Sequence, residues 1–166
     1  MQVGIILGSR SQWSTMKHTA KLLAQLGIHY ESRIITANKG TNRLHEYASQ
    51  AINRGLEIII AGSTEKSYLP GIIASKTEVP ILGIQINPST KMRTNCETDT
   101  NNNECGQIRM FDTESNGAVS AALFAASMLA TKHPRVHKNL MKYYSQDEHG
   151  KTMKKTLTRV NSSLIN

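Results

Sequence analysis

Short, almost continuous apolar runs that alternate with helical segments constrain the fold of this chain most strongly. The runs cover residues 3–7, 56–61 and 81–86. Strands that are apolar on both faces are typical of a parallel sheet covered by helices on both sides. Residues 16–26 and 44–52 carry apolar side chains at helical spacing, and Gly27 and Gly55 follow as stops. The alternation predicts an α/β fold, a three-layer αβα, flavodoxin-like arrangement with a parallel sheet.

Three loops are expected to meet at one edge of this sheet, because ligands bind at the carboxyl ends of parallel strands. They are residues 8–13, 36–42 and 62–69. The first loop leaves a strand through a glycine and two serines, and Ser14 or Thr15 is the expected N-cap of the next helix. Its backbone N–H groups and the helix dipole make it a candidate anion site. A plain turn without a ligand is the alternative for that loop alone.

Further elements are predicted after the third loop. Pro70 opens a short helix, and residues 108–111 form one more strand. The polar stretch 88–107 has little to bury, so it is either a lid or an insertion. The alanine-rich helix 117–131 is apolar around most of its circumference, and part of its burial is expected to come from other subunits.

Length and charge suggest a domain with a tail. Residues 1–131 are predicted to form the αβα domain, and residues 132–166 a basic helical tail packed on or between subunits. Residues 131–166 hold eight Lys or Arg residues against Asp147 and Glu148. Their net charge is therefore +6, most of the +8 of the whole chain. The tail lacks interleaved aromatic residues, which favours a solvated helix face over contact with nucleic acid.

Cysteine spacing and hydropathy argue against a metalloprotein and a membrane protein. Cys96 and Cys105 have no metal-ligand spacing, so we expect free thiols and no metal site. No apolar run approaches the roughly 18–20 residues of a membrane span, and the start of the chain enters a strand without a leader pattern. The expected location is cytoplasmic.

Residues 8–16, Gly-Ser-Arg-Ser-Gln-Trp-Ser-Thr-Met, resemble the Gly-Ser-x-Ser-Asp-Trp-x-Thr-Met signature of the PurE family. The resemblance continues through Leu-Pro-Gly-Ile-Ile-Ala-Ser-Lys-Thr at residues 69–77 and covers residues 3–87 and 115–131. These enzymes are N5-carboxyaminoimidazole ribonucleotide mutases and aminoimidazole ribonucleotide carboxylases of purine synthesis. The resemblance implies a homo-octamer with active sites at subunit boundaries and no metal or organic cofactor.

The resemblance also implies a set of residues that bind the ligand and its phosphate. They are Gly8, Ser9, Ser11, Gln12, Asn38, Lys39, Gly62, Ser63, Tyr68 and Leu69. Asn38 and Tyr68 stand where the family has His, Gln12 stands for Asp, and Lys39 for Arg. An amide does not titrate near neutral pH, so Asn38 cannot shuttle a proton as a histidine does. No catalytic residue is therefore assigned.

Three functional interpretations follow. The first is an oligomeric protein without mutase activity that binds or sequesters a small phosphorylated nucleotide. The alternative is an active mutase, or a related carboxylase or decarboxylase, that uses altered groups. The third is a structural or nucleic-acid-binding oligomer that relies on the basic tail. The first is favoured because the phosphate turn is retained while the proton-transfer groups are replaced. We expect self-association, and we expect neither a membrane nor nucleic acid as a partner.

Overall fold

The molecule is built on a parallel sheet with helices on both faces. The computed structural model describes residues 2–35, 37–64, 68–86, 108–111 and 114–146, with the backbone alone for residues 37–41 and 114. The strands are β1 (Val3–Leu7), β2 (Tyr30–Ile34), β3 (Ile58–Ser63), β4 (Ile81–Gln85) and β5 (Ile108–Phe111). The helices are α1 (Trp13–Gln25), α2 (Ala37–Ser49), α3 (Leu69–Ala74), α4 (Glu114–Ala130) and α5 (Pro134–Gln146).

The five strands pair in the order β2-β1-β3-β4-β5, all parallel. Alternate residues of β3 point into two apolar layers: Ile58 and Ile60 pack with α1, α4 and α5, whereas Ile59 packs with α2 and α3. Every residue of β3 is buried, which explains why its sequence is apolar without alternation. The predicted three-layer αβα, flavodoxin-like fold is confirmed.

Local structure at the helix ends differs in part from the prediction. Gly27 and Gly55 adopt φ values of 72° and 74° and end their segments as expected. Helix α1 already begins at Trp13, after a 3₁₀ turn over Arg10–Gln12, so Ser14 and Thr15 lie inside the helix. The prediction of either as N-cap is wrong, since the Ser14 hydroxyl donates to the carbonyl of Ser11 at 3.0 Å.

Two further expectations changed. The predicted turn at residues 36–42 is largely helix, because α2 starts at Ala37. The alanine face of α4 is covered within one subunit, since Ala118, Ala122 and Ala125 have no exposed surface and belong to the layer with α1. The Thr19 hydroxyl, which is buried in α1, donates to the carbonyl of Ala118 at 2.8 Å. Small side chains therefore bring α1 and α4 close together within the monomer.

Helix α5 packs against the domain through both apolar and polar contacts. Val136 and Leu140 are buried in the layer with α1 and α4, and the Asn139 amide donates to the carbonyl of Leu26 at 2.9 Å. The polar stretch 88–107 with Cys96 and Cys105, and the end of the predicted tail at residues 147–166, lie outside the described residues. Within the described ranges, no helix is long and apolar enough to cross a membrane.

Candidate active site at the carboxyl edge of the sheet

The registers of the parallel strands bring the predicted loops to one edge. Leu7 is opposite Ile34, and Ser63 is opposite Gln85. Backbone bonds extend this alignment past the strand ends: the N–H of Ile35 donates to the Leu7 carbonyl and that of Ile86 to the Ser63 carbonyl, each at 2.8 Å. The chain that leaves β1, β2 and β3 therefore starts from a common edge, as the sequence predicted.

The turn after β1 is closed by its own hydrogen bonds. The Gly8 N–H donates to Oε1 of Gln12 at 2.8 Å, and the hydroxyls of Ser9 and Ser11 lie 2.7 Å apart. The N–H of Gln12 donates to the Ser9 carbonyl at 3.3 Å. Ser11 is exposed and Ser9 partly so. The turn thus presents two hydroxyl groups to solvent at the carboxyl edge.

Gln12 connects the first loop to the third. Its side chain is only 4% exposed and lies between Gly8 and Gly62. A Cβ at Gly62 would come within 2.9 Å of both Gln12 Oε1 and Ile86 Cδ1. The absence of a side chain at Gly62 therefore makes room for the Gln12 amide above the ends of β1 and β3.

Tyr68 and Leu69 lie where α3 begins. Leu69 is fully buried, and its Cδ1 would lie 3.4 Å from a Cβ at Gly8. The Tyr68 ring covers Gly71, where an added Cβ would meet Cε1 at 2.4 Å. Burial raises the pKa of the Tyr68 hydroxyl above its ordinary value, so this group is protonated at neutral pH.

For Asn38 and Lys39 the structure describes the backbone alone. Both residues lie in the first turn of α2, four and five residues after the end of β2 at Ile34. Their backbone is therefore near the same edge as the turn after β1. Their side chains lie outside the described part of the chain, so their predicted contacts stay predictions.

Among the residues that the structure describes, two buried polar groups at this edge have no hydrogen-bond partner. They are the hydroxyl of Ser63 and Nε2 of Gln85. Sequence reasoning included Ser63 but missed Gln85. A signal was present, because Gln85 is the one residue with a hydrogen-bonding side chain in the apolar run 81–86. A single polar residue at the carboxyl end of an otherwise apolar strand indicates a position next to a ligand site.

The charged groups at the opposite, amino end of the sheet are paired. Glu57 precedes β3 and contacts Lys132 Nζ at 3.1 Å and His133 Nε2 at 2.7 Å. Glu31 in β2 accepts a bond of 2.6 Å from Arg54. Within the described ranges, no group of three His, Cys, Asp or Glu side chains could hold a metal ion. The ion pairs at the amino end thus connect strands to segments that are distant in sequence.

Fold and edge together define a class: α/β proteins with a parallel sheet and a polar site at the strand carboxyl ends. The family model for AIR carboxylase matches residues 2–150, and the chain belongs to this family. It is 39% identical to the N5-carboxyaminoimidazole ribonucleotide mutase of Pseudomonas aeruginosa over 142 residues, which are 85% of this chain and 87% of that protein. The corresponding mutase of Pyrococcus abyssi is 37% identical over 86% of this chain and 81% of its own length.

A solved structure shares the fold. Treponema denticola PurE superposes with a TM-score of 0.67 at 19% identity, over 99% of both chains. The predicted resemblance to the PurE family is confirmed by the family model and by these relatives. The favoured interpretation, a nucleotide-binding protein without mutase activity, is contradicted, because relatives 35–39% identical over most of the chain are named as mutases. These relatives support the alternative, an enzyme of the PurE type.

Proposed function

We propose that this protein converts N5-carboxyaminoimidazole ribonucleotide into the isomer that carries the carboxylate on a ring carbon. Its similarity to the Pseudomonas aeruginosa mutase over 85% of the chain carries this proposal. The edge geometry supports it, because β1, β3 and β4 are neighbouring parallel strands and polar side chains follow or end each of them at this edge. A site at the strand carboxyl ends is the usual ligand position in such sheets.

The proposed substrate lies across this edge with its phosphate at the turn after β1. The hydroxyls of Ser9 and Ser11 and the backbone beside Gly8 would bind phosphate oxygens, with Lys39 adding positive charge. Gln12, held by Gly8, would contact the ribose. Further contacts are assigned to Asn38, Gly62, Ser63, Tyr68 and Leu69.

The proposed reaction breaks the bond between the carboxylate and the exocyclic nitrogen and forms one between carbon dioxide and the ring carbon. The nitrogen gains a proton, and the ring carbon loses one, so the step needs a proton carrier. We assign this role to the Tyr68 hydroxyl, which donates its proton to the nitrogen and recovers it from the ring carbon through water. The hydroxyl is protonated at neutral pH, as a proton donor must be, and burial raises its pKa further above the ordinary value.

We also propose that the protein is a homo-oligomer, with an octamer as the expected form. Active sites at subunit boundaries would let a second chain exclude water and retain carbon dioxide. The mass in solution, measured by light scattering, tests this assignment. A monomer that turns over substrate at full rate would contradict it.

The activity itself is tested with purified protein and N5-carboxyaminoimidazole ribonucleotide. A second reaction contains aminoimidazole ribonucleotide and bicarbonate. Formation of the carbon-carboxylated product is followed by absorbance and confirmed by mass spectrometry. We expect saturable turnover of at least one substrate pair. Turnover of neither, by protein that is folded and oligomeric, would refute the proposal.

A further inference from the structure

Ser63 and Gln85 are neighbours on adjacent strands at the carboxyl edge. They are register partners in the parallel pair β3–β4. Residues two apart on a strand share a face, so Ser63 lies on the face of Ile59 and Ala61, and Gln85 on that of Ile81. Those residues pack in the layer with α2 and α3. Both polar side chains therefore lie on the α3 side of the sheet, where Leu69 and Tyr68 begin the next element.

The two side chains differ in solvent exposure, but each has a hydrogen-bonding group to which no partner is assigned. Ser63 has no exposed surface, whereas Gln85 is only partly buried. The Ser63 hydroxyl and the Gln85 Nε2 are both buried, and neither has a partner in the described part of the chain. Folded proteins pair nearly all buried polar atoms, so two adjacent unpaired ones call for an explanation. At the end of the sheet where ligands bind, an external partner supplies it.

The chemistry of the two groups defines that partner. A hydroxyl and an amide N–H can both donate hydrogen bonds, so they suit an acceptor with two oxygens. In the proposed function the phosphate lies at the turn after β1, two strands away from β4. Across the sheet, Ser63 on β3 lies one strand spacing from that turn and Gln85 on β4 two, about 5 and 10 Å, which leaves the other end of the substrate to the pair.

We propose that Ser63 and Gln85 donate hydrogen bonds to the carboxylate that the reaction moves, and thereby determine specificity for the carboxylated ribonucleotide. This inference rests on the proposed function for the identity of the substrate. It adds Gln85, a residue outside the sequence-based site, and gives Ser63 a defined role. Gln85 is partly exposed as a residue although its Nε2 is buried, so a ligand at this edge would displace its neighbours to reach the pair.

The test compares Ser63→Ala, Gln85→Met and the double variant with wild type. Gln25→Met, at an exposed position of α1, is the matched control. Calorimetry measures the Kd of aminoimidazole ribonucleotide, which lacks the carboxylate, and of the carbon-carboxylated product. Hydrogen bonds to a charged group make the expected loss about 10- to 100-fold for the carboxylated ligand in the double variant. The Kd of the ligand without the carboxylate should change less than about twofold, within the scatter of a preserved site.

Thermal unfolding of the unliganded variants separates this role from a structural one. Because neither group has a partner to lose, the variants should unfold at the wild-type temperature or above. An equal loss of affinity for both ligands, or no loss for either, would overturn the inference. So would a lower unfolding temperature with unchanged affinities.

The two proposals can fail separately. Wild-type turnover together with unchanged affinities in the double variant refutes the binding of the carboxylate by Ser63 and Gln85 and leaves the proposed function intact. Selective loss of affinity in the double variant, without wild-type turnover, refutes the enzyme and supports the carboxylate site. A wild-type chain that binds no carboxylated ribonucleotide refutes both.

Discussion

In the part of the chain that the structure describes, the charged groups at the amino end of the sheet are paired, whereas two buried uncharged groups at the carboxyl end are not. At the amino end, Glu57 holds Lys132 and His133, and Glu31 holds Arg54. At the carboxyl end, Ser63 and Gln85 keep buried groups that have no partner within the described ranges. A paired group stabilises the fold, whereas an unpaired one retains capacity for a ligand at a cost in stability. The carboxyl end is therefore where substitutions should change function more than folding.

The largest expected effect is at Tyr68, on the carboxyl end. Tyr68→Phe removes the proposed proton carrier but keeps the ring over Gly71. We expect kcat to fall about 100-fold, the lower range for general acid–base catalysis, with KM almost unchanged. Steady-state kinetics measures both constants. Adding Asn38→His to the variant should restore part of kcat, since an imidazole titrates near neutral pH. An unchanged kcat in Tyr68→Phe would show that the proton takes another route.

Gly62→Ala is a substitution at the carboxyl end that should lower stability as well as change the site. Its Cβ would lie 2.9 Å from both Gln12 Oε1 and Ile86 Cδ1. We expect a loss of about 1–3 kcal/mol in the free energy of unfolding, as for other overpacked sites. Urea unfolding measures it. Gly8→Ala is the matched control, since its nearest contact would be 3.4 Å from Leu69. Equal stability of the two variants would mean that Gln12 moves aside freely.

Ser9→Ala should sharpen the comparison by changing binding alone. Loss of one hydroxyl at the proposed phosphate turn is expected to raise KM about 10-fold, as for a hydrogen bond to a charged group. The free energy of unfolding should stay near that of wild type, because within the described residues the Ser9 hydroxyl bonds only the exposed Ser11 hydroxyl. Ser14→Ala, in the adjoining helix, is the control. Unchanged KM would place the phosphate elsewhere.

Glu57→Gln probes the amino end and should have the smallest effect. Burial alone would raise the pKa of Glu57, but hydrogen bonds and charges from Lys132 and His133 outweigh it and lower the pKa. A carboxyl group with a lowered folded-state pKa stabilises the fold above its unfolded pKa of about 4.3 and loses that contribution as the pH falls. We expect a loss of about 1 kcal/mol or less at pH 7, typical of a partly exposed pair.

Urea unfolding at pH 7 and at pH 3 checks this prediction. The difference between Glu57→Gln and wild type should shrink at pH 3, where the carboxyl group is increasingly protonated. Turnover at pH 7 should be unaffected, because Glu57 lies at the end opposite the proposed site. Glu78→Gln, at an exposed position, is the control. A larger effect on kcat than on stability would contradict the division between the two ends.

Much of the fold could be predicted because its signals are local. The apolar runs of β1, β3 and β4 and the stops at Gly27 and Gly55 depend on residues close together in sequence. The predicted start of α1 was wrong because the serine before Arg10–Gln12 and the one within this 3₁₀ turn suit a cap as well as Ser14 and Thr15 do. The function was misjudged because substitutions at Asn38 and Tyr68 were weighed above a similarity that extends along most of the chain.

By itself the sequence determined the sheet, its covering helices and the convergence of the loops at one edge, since period and turn chemistry act over a few residues. Only the tertiary structure decided that Gln12 fills the space above Gly62, that the alanines of α4 are covered by α1, and that Gln85 lies beside Ser63. These contacts join residues far apart in the chain. They depend on strand register and helix packing, which no local pattern specifies.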